Sequence, residues 1–446
     1  MASNWDQVRV ADLLANGALA INDGYRVRNV ELGREGIPFV RGGDIGDGTI
    51  NFDVEDRIRP QYTERVRSKL TRPYDVAFIT KGTVGRVGLV RPNQPEGVFA
   101  PQVCYWRSLD WEVVDPRFLY YLLTSAEFQA NLDAVKTHGS MVADYVSMTD
   151  QKNFRLTFPP IRNQRAIGRL LGALDDKIEL NRRMNATLEG ISRAIFKSWF
   201  VDFDPVRQKV AGKQPVGMDA RTAALFPDSF EDSDVGEVPN GWRVQPISEL
   251  AEIVGGSTPS TKERLFWDGG SQCWATPKDL SDLSVPVLLE TERQLTDTGV
   301  SQITSGVLPV GTVLLSSRAP IGYLAVAETP VAINQGFIAM KPKEGVSNLF
   351  LLRWTGASHD EIVSRANGST FLEISKTNFR PISVVQPPQA VMDAFHERAF
   401  SLFRRVVACE RASRTLAALR GTLLPKLLSG EVRVPEAEGI VEEAVR

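Results

Sequence analysis

A chain of 446 residues with 43% hydrophobic content is long enough for two or three domains, each with its own core. A net charge of −2 argues against a protein that coats nucleic acid indiscriminately, but it leaves room for local basic surfaces. Cys104, Cys273 and Cys409 are scattered and odd in number, and His138, His359 and His396 stand far apart; a disulfide framework, a zinc site and hydrolytic metal chemistry are poorly supplied, and a reducing, cytoplasmic setting is expected.

Taken from the N-terminus, the first twenty residues carry Asp6, Arg9 and Asp12 within no long apolar run, which argues against a signal peptide. No later run approaches the roughly 18 apolar residues of a membrane span. Residues 1–160 read as a mixed α/β globule. Short β-branched runs bounded by Gly and Pro, "IPFVRGGDI" and "DVAFITKGTVGRVGLV", precede a helical stretch, "PRFLYYLLTSAEFQANL". Between Arg57 and Arg91 nine Lys/Arg stand against only Glu64 and Asp75. By itself such a run is more often a solvated face than a ligand surface.

Pro159-Pro160 marks a boundary, and residues 161–203 then form a long helix ended by Asp204-Pro205. Residues 204–241, rich in Pro, Gly and Asp, read as a linker. A second globule occupies 242–388 and a second long helix 389–430, which Gly421 and Pro425 are expected to kink and Gly430 to end. Residues 431–446 are an acidic tail, expected to fray.

The two halves match. In the first helix Ile167, Leu171, Leu174, Ile178, Asn181, Asn185, Leu188, Ser192, Ile195 and Trp199 keep a 4-3 spacing. Adding 228 to each gives Phe395, Ala399, Leu402, Val406, Cys409, Ser413, Leu416, Arg420, Leu423 and Leu427, with no slip of register. Heptads sustained this long indicate coiled-coil packing. A pseudo-dyad makes the pair antiparallel, with Asn181 facing Ser413 and Asn185 facing Cys409. Before each helix the match is looser. "IPFVRGGDI" aligns with "CWATPKDL", and "DVAFITKGTVGRVGLV" with "TVLLSSRAPIGYLAV", pairing Lys81 with Arg318 and Gly85 with Gly322. "HGSMV" echoes "NGSTF", and "NFR" occurs in both halves. The fold class is therefore α+β: two mixed α/β globules joined by two long helices in an antiparallel coiled coil, an internal pseudo-twofold duplication.

Catalytic motifs are missing. "TFPP" lacks the Asn or Asp and the aromatic that flank the Pro-Pro motif of amino-methyltransferases, and "GTVGRVG" is neither a dinucleotide fingerprint nor a Walker loop. No short carboxylate cluster suits a nuclease.

This arrangement resembles the DNA-specificity subunit of type I restriction–modification enzymes. The resemblance covers nearly the whole chain and rests most firmly on "LNRRMNATLEGISRAIFKSWFVDFDPV", "LFPDSFEDSDVGEVPNGW" and "LLPKLLSGEV". It implies that the chain is not an enzyme itself, and that the two globules are target recognition domains, each reading half of a split sequence in double-stranded DNA. It also implies that the helices dock two methyltransferase subunits, with restriction subunits as further partners. S-adenosylmethionine, and ATP with Mg, would belong to those partners, with no cofactor in this chain. A coiled-coil DNA-binding adaptor or scaffold outside restriction–modification is the alternative, and a subunit of a related system with methylation and cleavage on one polypeptide is a third reading.

For DNA contact, Lys81, Arg86, Arg91 and Arg318 are phosphate or guanine candidates, since arginine can grip guanine O6 and N7 together. Thr83 and Tyr323 are polar neighbours in the same loops. Gly82, Gly85 and Gly322 either admit the duplex backbone or serve tight strand turns. Arg41, Thr276 and Lys278 follow from the aligned "PFVRGGD" and "WATPKD" loops, and His138, Ser140, Asn367 and Ser369 from the second pair of polar loops. Gln102, Asn334 and Gln335 suit adenine reading or turn roles equally.

Overall fold

In the computed structural model, residues 5–136, 144–368 and 372–445 are described. Two helices dominate, Ile161–Phe200 and Gln389–Ser429, of 40 and 41 residues. The chain divides into two units, and each helix contributes to both. The first unit holds residues up to Ile178 and from Arg414 onward, and the second runs from Glu179 to Ser413. Among the described residues no helix is long and apolar enough to cross a membrane.

In the first unit, Asp6–Arg9 pairs antiparallel with Arg155–Phe158. A four-stranded sheet follows in the order Leu19–Asp23, Val103–Ser108, Val76–Ile79, Val87–Leu89, every pair antiparallel. "VAFI" at Val76–Ile79 is buried at all four positions, because both faces of this inner strand are covered, so it is a continuous apolar run rather than an alternating one. A smaller sheet is ordered Leu32–Gly33, Arg57–Ile58, Ile37–Val40, Val98–Phe99, its last pair parallel.

The second unit repeats the plan. Arg243–Pro246 pairs antiparallel with Ser383–Gln386. The larger sheet is ordered Ala251–Val254, Phe337–Pro342, Val313–Ser317, Ile321–Ala327, with Val287–Leu288 added at its edge. The smaller sheet is Arg293–Leu295, Gln272–Ala275, Val331–Ile333, and again the last pair is parallel. Strand order and sense agree between the units, as the duplication requires.

The helix seams bury as expected. In the first unit Ile167, Leu171, Leu174 and Ile178 share a core with Leu416, Leu423 and Leu427. In the second, Phe196 and Trp199 lie 5.9 and 6.3 Å, ring to ring, from Phe395. Asn181 donates to Ser413 Oγ at 3.2 Å, so positions rise along one helix as they fall along the other: the two run antiparallel. Cys409 Sγ lies 3.6 Å from Met184 Sδ, while Asn185, 2% exposed, has an Oδ1 with no partner among the described residues.

Two further expectations change, those for the 204–241 segment and for the acidic end. The 204–241 segment is ordered: it holds the helix Asp204–Val210 and the hairpin Phe230–Ser233/Gly236–Pro239. Its Val206 and Phe226 are buried in the core of the second unit with Trp199, Phe200 and Trp242. Apolar residues spaced among Pro and Gly were enough to fold it. Phe203, the residue that ends the first helix pattern, takes a left-handed φ of 54°, a conformation usually left to glycine or asparagine, and packs against Trp242 at 5.7 Å and Phe230 at 6.2 Å. Pro425 lies inside the second helix, which continues past it because Leu423 and Leu427 on either side are buried. The acidic end forms a helix, Val434–Val445, anchored by the fully buried Ala437.

Candidate nucleic-acid interface

The hairpin between Val76–Ile79 and Val87–Leu89 carries Lys81, Thr83 and Arg86, all exposed. Two things hold its tip. Lys81 forms an antiparallel bridge with Tyr145, and the Val146 amide donates to the Thr80 carbonyl at 3.0 Å. The second unit makes the same contacts with other side chains. Arg318 bridges Glu373, and the Ile374 amide donates to the Ser317 carbonyl at 3.0 Å. Ser147 and Ser375, one residue further on, each cap the short helix that follows. A cationic residue therefore occupies the same backbone position in both units. Tyr145 and Glu373 escaped the sequence reading; their spacing of 228, shared with Ser147 and Ser375 and with the two Pro-Pro pairs, was the available signal.

Gly85 and Gly322 have φ values of 100° and 120°. A Cβ on Gly85 would stand 2.5 Å from Gln129 Oε1, and one on Gly322 2.7 Å from His359 Cε1. Both glycines are required by the left-handed turn and by the residue packed behind it. Gly82, at φ 93°, has open space instead.

Arg41 and Thr276 begin equivalent turns. The Arg41 amide donates to Asp44 Oδ2 at 2.8 Å and the Thr276 amide to Asp279 Oδ2 at 2.7 Å. The first turn adjoins the hairpin: Arg86 donates to the Ile45 carbonyl at 3.3 Å. Arg41, Lys81, Thr83 and Arg86 are thus brought into neighbouring loops. The Thr276 hydroxyl is committed to Asp279 at 2.7 Å. Lys278 is exposed and paired with Glu292 at 2.7 Å, and this hydrogen bond raises its pKa above the usual lysine value. Asn367 exchanges two backbone hydrogen bonds with Glu373, which places it beside Arg318. Arg318 itself lies 3.5 Å from Glu373 and is 39% exposed.

Other candidates go elsewhere. Arg91 sits at the far end of its hairpin, where the Val90 amide pairs with Asp75, and it reaches Asp176 on the first long helix at 3.5 Å. Tyr323 is half-buried in strand Ile321–Ala327 against an apolar cluster that includes Leu280. Asn334 Oδ1 caps its own turn by accepting from the Gly336 amide. Gln335 is engaged with the Thr258 hydroxyl, and Gln102 accepts from Thr80 through its backbone carbonyl. His138, Ser140 and Ser369 lie outside the described residues.

Part of the basic run between Arg57 and Arg91 is neutralised locally. Arg65 pairs with Glu31, Lys69 with Asp23 and Arg67 with Glu64, while Arg57 and Arg59 donate to the carbonyls of Gly36 and Leu32. The Arg28 amide, reinforced by the Arg65 and Tyr25 side chains, holds the buried Glu31 carboxyl below the usual range. Among the described residues no carboxylate pairs with Lys81 or Arg86, so the hairpin tip keeps its charge. No group of three or more His, Cys, Asp or Glu among the described residues is placed to hold a metal.

If Arg318 grips a guanine, Arg318→Ala is expected to weaken binding to the cognate duplex by about 1–3 kcal/mol. Titration of the duplex by fluorescence anisotropy measures it, and unchanged affinity and specificity would assign Arg318 to the scaffold.

A family model described as the type I restriction modification DNA specificity domain matches residues 3–190 and 239–391. The specificity subunit of the type I restriction enzyme HindI from Haemophilus influenzae is 28% identical over 362 residues, covering 72% of this chain and 78% of that protein. The MjaIX specificity subunit of Methanocaldococcus jannaschii is 38% identical over 160 residues, 35% of this chain and 37% of its own. Among solved structures, the S subunit of a type I restriction–modification system from M. genitalium aligns with a TM-score of 0.56 at 16% identity, covering 95% of this chain and 96% of that one. At that identity the likeness is one of fold.

Proposed function

Because the chain belongs to the family of type I restriction–modification DNA specificity subunits, we propose that each of its globules reads one half of a bipartite DNA target through the hairpin-tip loops. The observation that carries this reading is the repeated placement of Lys81 and Arg318 at the same backbone bridge in two compact units. Scaffold charge has no reason to recur at a loop tip whose partner strand differs. Phosphate contacts there would set position, and arginine forks would set sequence.

The catalytic work belongs to partners. Two adenine-N6 methyltransferase subunits dock on the helices and bind S-adenosylmethionine, and restriction subunits using ATP and Mg join them for cleavage. This places the complex with the DNA in the cytoplasm. The chain purified free of other subunits is expected to incorporate no labelled methyl groups into DNA. Adding its methyltransferase partner is expected to restore incorporation at adenines within one bipartite motif. Methylation by the isolated chain, or by the complex at sites without a shared motif, would overturn the proposal.

A further inference from the structure

The two smaller sheets carry an aromatic platform at the same place. In the first unit the Phe39 amide donates to the Asp56 carbonyl at 2.9 Å, and the Ala100 amide to the Val40 carbonyl at 2.8 Å. In the second, Trp274 stands opposite Arg293 across the antiparallel pair, and the Asn334 amide donates to the Ala275 carbonyl at 3.1 Å. Phe39 is therefore equivalent to Trp274, Arg41 to Thr276, and Asp56 to Arg293.

Each platform carries a guanidinium, but from a different strand. In the first unit Arg41 lies 5.3 Å from the centre of the Phe39 ring and is tied to Asp56 at 2.6 Å. In the second unit the position of Arg41 is a threonine, and Arg293, standing where Asp56 stood, lies 5.3 Å from Trp274 and 3.6 Å over Trp267. Trp267 is itself pinned. Its indole N–H donates to the Ser260 carbonyl at 3.0 Å, and its ring meets Trp274 edge-on at 5.0 Å. The strand that presents Arg293 is anchored beside the Thr276 turn, because Asp279 also accepts from the Glu292 amide at 2.7 Å. Arg293 is exposed, and among the described residues no carboxylate pairs with it.

We propose that Arg293 reads a guanine in the half-site of the second globule. The proposal rests on the DNA-reading function argued above and adds a specificity-determining residue to it. Stacking on an indole fixes the plane of the guanidinium while leaving its N–H edge open. A phosphate asks only for positive charge, which a lysine supplies as well; the O6 and N7 of guanine ask for two parallel donors in a set plane. A flat, held, uncancelled fork suits the second demand.

The test uses the full chain expressed with its methyltransferase partner in a host lacking the system. Methylated adenines are mapped across the genome, and the affinity of each complex for a duplex of the mapped motif is measured. Arg293→Ala and Arg293→Lys are both expected to make one guanine position of the second half-motif degenerate, and to lower cognate affinity by about 5- to 150-fold. The first half-motif stays intact. Retention of motif and affinity by Arg293→Lys overturns the proposal in favour of a point charge on phosphate. Unaltered behaviour of Arg293→Ala, or a second half-motif without guanine, overturns it outright. Absence of any bipartite motif with the unaltered chain would instead remove the DNA-reading function on which the proposal stands.

Discussion

Arg353→Leu is expected to destabilise the second unit by about 3–5 kcal/mol, the usual cost of removing one partner of a buried ion pair. The Arg353 guanidinium donates to both Glu189 oxygens, at 2.9 and 2.7 Å, and to Ser192 Oγ at 3.0 Å. Both charged side chains are only 8% exposed. Removing the arginine strands a carboxylate away from water, which is worse than losing the pair itself. Arg353→Leu with Glu189→Leu is therefore expected to recover most of the loss, since apolar replacement of a whole buried pair is often close to neutral. Urea unfolding followed by circular dichroism measures both. A single variant within about 1 kcal/mol of the unaltered chain would show that the pair is not structurally critical.

The pair fixes helix Asn348–Ala357 to the first long helix. The first unit fixes its equivalent helix, Pro116–Thr124, by different chemistry. The Tyr121 hydroxyl donates to Asp175 at 2.6 Å, and Asp175 also accepts from Arg420 at 2.5 Å. Burial, together with the Asp175 carboxylate, pushes the Tyr121 phenol well above its usual range, so it remains a donor. Ser192 and Arg420 are equivalent seam positions, as the 228-residue offset requires. The two globules are thus anchored by non-interchangeable polar contacts.

That difference shapes a second large effect. Exchanging residues 1–160 for the first globule of another specificity subunit is expected to replace one half of the methylated motif and leave the other unchanged. The apolar clusters of the two units are separate, so the exchange leaves the second core intact, while Ile167, Leu171, Leu174 and Leu423 stay behind for the new globule to pack on. The cut leaves Asp175 and Arg420 behind, and the donor must present a hydroxyl where Tyr121 stood. With a donor that lacks it, the motif is still expected to change by half, but the complex should melt at lower temperature. Long-read mapping of methylated adenines gives the motif. If both halves change together, the globules do not read independently.

The long helices, their 228-residue offset and their polar seam positions were legible because helix packing repeats every seven residues and tolerates no insertion. Asn181 meeting Ser413 follows from that arithmetic. The matched hairpins were legible for a similar reason, since Lys81 and Arg318 sit at fixed distances from a glycine that the turn requires. Where the chain admits insertions, pattern faded. The 204–241 segment has the composition of a linker, and only the aromatic cluster around Trp199 and Trp242 reveals it as part of a core.

Charge was the least readable property. The sequence determined the duplication, the antiparallel seam and the two cationic loop tips, all set by local spacing and backbone geometry. Tertiary structure decided which cations stay available for DNA. Arg65 is neutralised by Glu31 and Arg91 engaged by Asp176, residues 34 and 85 positions away. Arg293 gains its platform from Trp267, whose place beside it no alignment of the two halves predicts. An ion pair or a stacked ring acts over a few ångströms of space whatever the separation along the chain, and only the folded chain fixes those distances.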